Sequence, residues 1–399
     1  MQLKQLPEDF QTALPILKMI EDAGFEAYFV GGSVRDHILG LPIHDVDIAT
    51  SAYPEEIKNI FKRTIDTGIK HGTVTVLMND NSYEITTFRT ESGYQDFRRP
   101  DKVTFVRSLT DDLKRRDFTI NALAVDHNGN VVDKFDGLAD LKNHLIKAVG
   151  VAEERFHEDA LRMMRAVRFQ AQLDFTIEGK TEQAIADNAH LLSKIAVERV
   201  HEEFVKMFYG QAWKTGFADF LRLGLSEYCP DFQGQTAKLK KLAQAKNIVM
   251  NDETMVWTAV GFSLGLSGEE LNQFLRDWKV SNKIREDCQS TEKMLRDFQH
   301  KEIDVWQIYL LGVKNVSRVE SLCELFDITI DNKKINEKVA KIPIKDSHAL
   351  KITGKDIIDI LKIKPGPKIG EYMTSLEKAV VTQTVTNSYQ DLASYLLIL

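Results

Sequence analysis

Two short stretches decide the fold, Val30-Gly31-Gly32-Ser33-Val34-Arg35-Asp36 and, shortly after it, Asp45-Val46-Asp47-Ile48-Ala49. The glycine pair lets the backbone approach a phosphate chain closely, and the arginine can pair with phosphate oxygens through two parallel hydrogen bonds. The two aspartates are two residues apart, and on a strand that spacing sends both side chains to one face. Together these features predict a metal-dependent nucleotidyl-transfer site.

The paired carboxylates predict a magnesium site. Asp45 and Asp47 would repel each other without a cation, and Mg²⁺ takes hard oxygen ligands while keeping positions open for substrate phosphates. Glu84, which alternates with apolar Tyr83 and Ile85, is a candidate third ligand or base on a neighbouring strand. Such an aspartate pair alone is also typical of a solvated loop, and a glycine pair alone of a plain strand-to-helix turn. The prediction therefore rests on their combination.

Length and composition indicate a multidomain enzyme of the cytoplasm with no membrane partner. The 399 residues suffice for two to four domains, and no apolar run approaches the roughly 18 residues of a membrane-spanning helix. The N-terminus lacks the succession of basic, apolar and small residues that is typical of a secretory signal. Cys229, Cys288 and Cys323 stand far apart, which predicts buried thiols. The net charge of -7 argues against a nucleic-acid partner unless basic residues cluster locally.

The pattern along the chain predicts the α+β class, with a small α/β head followed by a long helical region. The predicted strands are 27–30, 46–49, 73–78, 83–88, 122–125 and 131–135, and the predicted helices of the head are 14–23, 33–39 and 54–61. Asn79-Asp80-Asn81 and Asn128-Gly129 predict hairpin turns. After about Leu141 the strand pattern ends. We expect a catalytic head at 1–141, a neck that reads the base at 142–209, a body at 210–280 and a tail that binds RNA at 281–399.

The order of motifs resembles that of the CCA-adding enzymes, the tRNA nucleotidyltransferases, and most closely the bacterial class II branch of this polymerase-β-like superfamily. The stretches that carry the resemblance are Gly31 to Asp47, Leu113 to Ala122 (LKRRDFTINA), Asp133 to Gly137 (DKFDG), Glu158 to Arg162 (EDALR) and Glu198 to Val200 (ERV) with Glu203 and Lys206. Tail stretches at 352–356 and 364–367 extend it to nearly the whole chain. Lys134-Phe135-Asp136 departs from the usual hinge sequence without losing a predicted ligand.

The resemblance implies roles for further residues. Arg116 and Asp117 correspond to the family's contacts with the phosphates and ribose of the nucleotide, and Arg165 and Arg168 to further contacts with the nucleotide. The polar stretch Arg89 to Pro100 corresponds to a flexible loop that the family needs for switching from C to A addition. Without the resemblance this stretch is simply a long surface loop.

Asp159 and Arg162 have the chemistry to distinguish bases. Residues 153–173 are strongly helical in pattern, and a spacing of three places both side chains on one face. Cytosine and adenine both present a ring-nitrogen acceptor beside an amine donor, which Arg162 and Asp159 match. Uracil and guanine present the reverse order, and each unpaired buried polar group costs about 1 to 3 kcal/mol. Glu158 is placed to orient Arg162. The alternative is a salt-bridged surface helix.

Two groups of basic residues are candidates for following an RNA backbone by its phosphates. They are Arg98, Arg99, Lys102, Arg107, Lys114, Arg115 and Arg116 in the head, and Lys238, Lys240, Lys241 and Lys246 in the body. Solvated faces remain an equal explanation for the second group.

We therefore expect an enzyme that adds C, C and A to the 3′ end of tRNA from CTP and ATP, with Mg²⁺ as cofactor and release of pyrophosphate. Asp45, Asp47 and Glu84 are the expected catalytic residues. Gly32, Arg35 and Arg116 are expected to hold the triphosphate. The partners are the tRNA acceptor arm and both nucleotides, and a homodimer is compatible with the sequence. The alternatives are a poly(A) polymerase, an enzyme adding only the terminal A, and a tRNA-binding chaperone with an inactive head.

Overall fold

Asp47 begins a strand in the middle of a β-sheet, and Asp45 lies just before that strand. The computed structural model describes residues 1–95, 99–300 and 303–399. Its strands are β1 (Ala27–Val30), β2 (Asp47–Thr50), β3 (Thr64–Gly68), β4 (Thr73–Met78), β5 (Asn81–Thr87), β6 (Arg89–Gln95), β7 (Arg99–Phe105), β8 (Leu123–Val125), β9 (Val131–Asp133), β10 (Leu145–Ile146) and β11 (Thr176–Ile177). Seven of them form one sheet in the order β3-β4-β5-β2-β1-β8-β9. Parallel pairing of β2 with β5 places Asp47 opposite Glu84.

Helices make up most of the remaining chain. The first eleven are α1 (Glu8–Asp22), α2 (Gly32–Ile38), α3 (Pro54–Ile60), α4 (Leu109–Lys114), α5 (Gly137–Lys142), α6 (Ala152–Glu158), α7 (Leu161–Leu173), α8 (Gly179–Asn188), α9 (Val197–Phe208), α10 (Trp213–Arg222) and α11 (Thr236–Gln244). They continue as α12 (Glu253–Leu264), α13 (Gly268–Asp277), α14 (Asn282–His300), α15 (Val305–Leu311), α16 (Val313–Leu325), α17 (Asn332–Ala340), α18 (Gly354–Leu361), α19 (Lys368–Val381) and α20 (Tyr389–Leu396). The predicted α+β class is confirmed.

The contacts divide the chain into two units, Met1–Thr236 and Ala237–Leu399. The limits at residues 141, 209 and 280, drawn from the end of the strand pattern and from the residues at Gly210 and Ser281, remain predictions. The second unit has its own apolar core, which includes Ile357, Leu376 and Leu392. No helix among the residues described in the structure is long and apolar enough to cross a membrane.

Turn chemistry predicted the β4–β5 hairpin. Asn79 and Asp80 adopt positive φ angles of 50° and 60°, as the two central residues of a type I′ turn require. The hairpin closes with Met78 opposite Asn81. The three cysteines are buried and free, as the sequence predicted.

The expected loop at residues 89–100 is instead part of a β-ribbon, so this prediction was wrong for its described residues. β6 and β7 pair antiparallel from Arg89 opposite Phe105 to Gln95 opposite Arg99. Residues 96–98 lie outside the described residues. The ribbon's sequence is largely polar at both odd and even positions, so it lacks the apolar alternation that reveals a strand. The short parallel strands β10 and β11 likewise correct the expectation of no strands after Leu141.

The predicted continuous helix over residues 153–173 is broken between α6 and α7. Asp159 has extended backbone angles, φ -141° and ψ 103°, and its Oδ1 accepts a hydrogen bond of 3.1 Å from the N–H of Leu161. A carboxylate that accepts from the first N–H groups of a helix competes with continuation of the preceding helix. The break places Asp159 ahead of α7 rather than on its surface.

Close packing fixes the position of α7. A Cβ atom at Gly210 would lie 2.3 Å from the carbonyl oxygen of Ala171, and one at Gly216 would lie 2.6 Å from that of Val167. Glycine at both positions therefore lets the chain that follows α9 approach the backbone of α7 directly.

Candidate active site

The predicted site residues meet in one cavity of about 670 Å³ inside the first unit. Ten of them line it: Gly32, Arg35, Asp45, Asp47, Arg116, Asp117, Asp159, Arg162, Arg165 and Arg168. Glu84 does not line the cavity, although it lies beside Asp47 in the sheet. The structure thus brings residues of the head and of the predicted neck to one place.

The glycine turn permits a close approach between two of the predicted motifs, the one at Gly31 and the one at Arg116. Gly31 precedes α2 with a φ of 75°, and a Cβ atom there would lie 2.9 Å from Nη1 of Arg116. Any other residue at this position would be strained and would displace the guanidinium. Gly31 is therefore required both for the turn and for the position of Arg116.

The carboxylates concentrate negative charge at one edge of the cavity. Asp47 begins β2 and Asp45 precedes the strand, so Asp45 is not on β2 as predicted, yet both side chains line the cavity. Partial desolvation raises the pKa of Asp47, and Glu84 and Asp45 raise it further, against the opposing charge of Arg116. No group of three or more acidic, histidine or cysteine side chains in the described residues is arranged to hold a metal. The pair Asp45 and Asp47 is the remaining candidate, and Glu84 stays an untested prediction.

Arg35 and Arg116 are each held by Asn121 and by a nearby carboxylate. Arg35 is buried and donates to Asn121 Oδ1 at 2.6 Å and to Asp36 at 2.8 Å. Arg116 donates to the carbonyl oxygen of Asn121 at 3.3 Å and contacts Asp112 at 3.5 Å. Its Nε is buried and has no hydrogen-bond partner among the described residues. That unused donor is suited to a ligand oxygen.

Asp117 is a buried carboxylate of the site that binds Arg165. Its Oδ1 accepts from the N–H of Phe118 at 2.8 Å and from Nδ2 of Asn121 at 3.1 Å, and its Oδ2 accepts from Arg165 at 2.7 Å. Burial alone would raise the pKa of Asp117, but the Arg165 guanidinium and the bond from Asn121 hold it well below its usual range. The carboxylate therefore remains charged at neutral pH.

The two predicted base-reading residues face the cavity from either side of the helix break. Arg162 donates to Glu158 at 2.6 Å, as predicted, and to the carbonyl oxygen of Arg115 at 2.8 Å. Asp159 pairs with Arg199 of α9 at 2.7 Å. Both side chains are thus held in position by neighbouring charged or backbone groups.

Several lining residues were not predicted as site residues. Asn121 links Arg35 to Asp117. It lies close after Arg116 and Asp117 in the same motif, and this position could have identified it as a site residue. Phe169 lines the cavity with no polar group to reveal it. Glu203 of α9 pairs with both Arg165 and Arg168.

The charge of the cavity differs from that of the whole chain. Eight basic and five acidic side chains line it, whereas the chain carries a net charge of -7. Such a local excess of positive charge favours an anionic ligand. Outside the cavity, Lys238 donates to the carbonyl oxygen of Leu264 and Lys246 pairs with Asp327, so two of the four body lysines have protein partners. Arg98, and the side chains of Arg99 and Lys102, lie outside the described residues.

Comparison with known proteins places the chain in a family. It is 49% identical over 385 residues to the CCA-adding enzyme of Ligilactobacillus salivarius, covering 96% of this chain and 95% of that protein. It is 50% identical over 398 residues to the CCA-adding enzyme of Enterococcus faecalis, covering 99% and 97%. This chain belongs to the CCA-adding enzyme family. It is therefore a nucleotidyltransferase, and the resemblance of its motifs is confirmed.

A solved CCA-adding enzyme has the same architecture. The Bacillus stearothermophilus CCA-adding enzyme in complex with CTP superposes with a TM-score of 0.87 at 38% identity, covering 98% of both chains. Residues 27–147 match the family described as Poly A polymerase head domain. Residues 174–234 match the probable RNA and SrmB-binding site of polymerase A, and residues 248–396 match the putative domain 2 of tRNA nucleotidyltransferases. The head is thus shared with poly(A) polymerases, while the full length matches CCA-adding enzymes.

Proposed function

We propose that this chain adds C, C and A in turn to the 3′ end of tRNA, using CTP and ATP and releasing pyrophosphate without a template. The observation that carries this proposal is the single cavity in which Asp45 and Asp47 lie together with Arg116, Asp159 and Arg162. It joins groups suited to a metal and a triphosphate with groups suited to reading cytosine and adenine. The near full-length similarity to CCA-adding enzymes supports it.

The donor set fits magnesium. Asp45 and Asp47 line the cavity, and desolvation raises the pKa of Asp47, with a further contribution from Glu84 and Asp45. Like-charged carboxylates held this close favour a bound cation. Mg²⁺ bound by these two residues would lower the pKa of the attacking 3′ hydroxyl and neutralise charge on the leaving pyrophosphate. Glu84 remains the candidate for a third ligand or a base.

Arg35 and Arg116 would bind the triphosphate. Asn121 orients both guanidinium groups, through its side chain for Arg35 and through its carbonyl oxygen for Arg116. The buried Nε of Arg116 supplies a donor that no described protein group uses. Hydrogen bonds from guanidinium groups to phosphate are among the strong ones, because both partners are charged. Fixed arginines would therefore hold the α-phosphate in line with the tRNA hydroxyl.

Asp159 and Arg162 would read the base. Glu158 and the carbonyl oxygen of Arg115 fix the Arg162 guanidinium, and Arg199 fixes the Asp159 carboxylate. A carboxylate has about four lone-pair positions, so Asp159 retains capacity to accept from an exocyclic amine. Arg165 and Arg168 would support the nucleotide, with Asp117 contacting the ribose. The fixed donor Arg162 beside the fixed acceptor Asp159 matches the hydrogen-bonding groups of C and A and mismatches those of U and G.

The alternatives share parts of this site. A poly(A) polymerase, or an enzyme that adds only the terminal A, would use the same head, because the head family includes poly(A) polymerases. A tRNA-binding chaperone with an inactive head would not need the metal-binding carboxylates, yet Asp45 and Asp47 are both present. The products formed from each nucleotide distinguish the three.

The deciding experiment extends a labelled tRNA that lacks its terminal CCA. We expect exactly two nucleotides to be added with CTP alone and three with CTP and ATP, and chelation of divalent metal by EDTA to stop both. No two-nucleotide extension with CTP alone would refute the proposal. The double variant Asp45→Ala, Asp47→Ala should bind tRNA but add nothing, and retained activity would remove these residues from catalysis.

A further inference from the structure

Three arginine side chains of the cavity surround one aromatic ring. The guanidinium carbon atoms of Arg35, Arg165 and Arg168 lie 5.0, 5.2 and 4.0 Å from the ring centroid of Phe169. All three distances are within the range of about 6 Å in which a ring face attracts a cation. Phe169 is 4% exposed, so water competes weakly for these contacts.

The ring itself is held in place by a second aromatic residue. Phe118 packs edge to face against Phe169, with centroids 5.9 Å apart and an angle of 86° between the rings. This is a favoured geometry for an aromatic pair. Phe118 is fully buried and follows Asp117, the carboxylate that binds Arg165. The ring of Phe169 is therefore a fixed surface.

The three arginines come from two elements, and Arg35 has a different anionic partner from the other two. Arg35 belongs to α2 and pairs with Asp36, whereas Arg165 and Arg168 belong to α7 and share Glu203. Burial lowers the pKa of Arg168 to about 10, and the nearby charge of Arg165 contributes to this lowering against the pairing with Glu203. The guanidinium groups of Arg165 and Arg168 therefore repel each other. No carboxylate that pairs with Arg35 in the described residues also pairs with the two arginines of α7.

We propose that Phe169 is a positioning residue that joins the triphosphate-binding Arg35 to the nucleotide-binding Arg165 and Arg168 through the face of its ring. The ring offsets the repulsion between Arg165 and Arg168 and fixes the spacing of the three cations across the cavity. The head and α7 then present one preformed site for the nucleotide. This inference rests on the proposed function, because it assigns these arginines to nucleotide binding.

The quadrupole of the ring can be weakened without changing its shape. We would replace Phe169 in the full-length protein with phenylalanine carrying one, two or three fluorine atoms, introduced by suppression of a stop codon. Each fluorine withdraws charge from the ring face and weakens cation binding. Phe156 of α6 is fully buried, and no guanidinium among the described residues lies over its ring, so the same series there is the matched control.

We expect the affinity for CTP, measured by calorimetry, to fall stepwise across the series at Phe169 by about tenfold in total and to change less than about twofold at Phe156. A flat series at Phe169, or an equal fall at Phe156, would overturn the inference. Phe169→Leu should raise the KM for CTP more than Phe156→Leu, and equal changes would again contradict it. If the wild-type protein binds CTP but does not extend tRNA, the proposed function fails while the fluorine series still tests the ring.

Discussion

Asp112 provides the sharpest test of how the arginines of the site are held. Its side chain is about 1% exposed, and Oδ1 accepts from Arg115 at 2.8 and 2.9 Å and from the N–H of Arg89 at 3.3 Å. Oδ2 lies 3.5 Å from Arg116. Asp112→Asn would keep the shape while removing the charge, and its amide nitrogen would face one of the guanidinium groups.

The expected loss of stability follows from this environment. Breaking a buried ion pair typically costs about 3 to 5 kcal/mol. Arg115 also contacts Glu91 at 3.5 Å, so it keeps one anionic partner in Asp112→Asn. We therefore expect the free energy of unfolding to fall by about 3 kcal/mol. For a unit of this size, 1 kcal/mol corresponds to about 2 to 4 °C, so Tm should fall by about 6 to 12 °C at neutral pH.

The pH dependence has a defined sign. Burial alone would raise the pKa of Asp112, but Arg115 and Arg116 outweigh burial and hold the pKa below its ordinary value. The ionised carboxylate therefore stabilises the protein above the unfolded-state pKa near 3.9, and this stability is lost as the pH falls through the lower folded-state pKa. The difference in Tm between wild type and Asp112→Asn should shrink below about pH 4.

Thermal unfolding followed by circular dichroism between pH 3 and pH 8 would measure both effects. Asp111→Asn is the matched control, because Asp111 is the neighbouring carboxylate on α4 and is exposed. Its Tm should change by less than about 2 °C. Equal changes in the two variants, or a Tm difference for Asp112→Asn that does not depend on pH, would refute the role of the buried carboxylate.

Two further predictions concern the site itself. Gly31→Ala should lower kcat/KM for CTP about tenfold or more, because its Cβ would displace Arg116. Gly24→Ala also adds a Cβ at a positive φ, but into open space, and should retain activity; equal losses in steady-state kinetics would contradict this. Asp159→Ala and Arg162→Ala should each raise the use of UTP or GTP relative to CTP by about tenfold. An unchanged ranking of nucleotides in competition assays would remove both residues from base selection.

The break between α6 and α7 shows that Asp159 and Arg162 both line the cavity, but not through the helical spacing that the sequence predicted. The spacing of Asp159 and Arg162 predicted two side chains on one face of a continuous helix. In the structure Asp159 lies in the break before α7, where its carboxylate accepts from Leu161 and pairs with Arg199. Both side chains still line the cavity. Helical spacing alone could not reveal this, because capping by an aspartate competes locally with helix continuation.

The sequence by itself determined the features that depend on neighbouring residues. The type I′ turn at Asn79 and Asp80 and the glycine turn at Gly31 follow from the few conformations open to those residues. Short runs of β-favouring residues bounded by turn residues likewise located β1, β4 and β5, because β-branched and aromatic side chains favour strands. The polar ribbon of β6 and β7 lacks that signal.

Only the tertiary structure decided which charged groups meet. Asn121 bridges Arg35 and Asp117, and Phe169 gathers arginines from α2 and α7, although nothing in their local sequence specifies these partners. Hydrogen bonds and cation contacts act over a few ångströms, so they depend on how distant segments pack. The glycine turn and the aspartate pair therefore predicted the chemistry of the site, while packing of α7 against the head determined its shape.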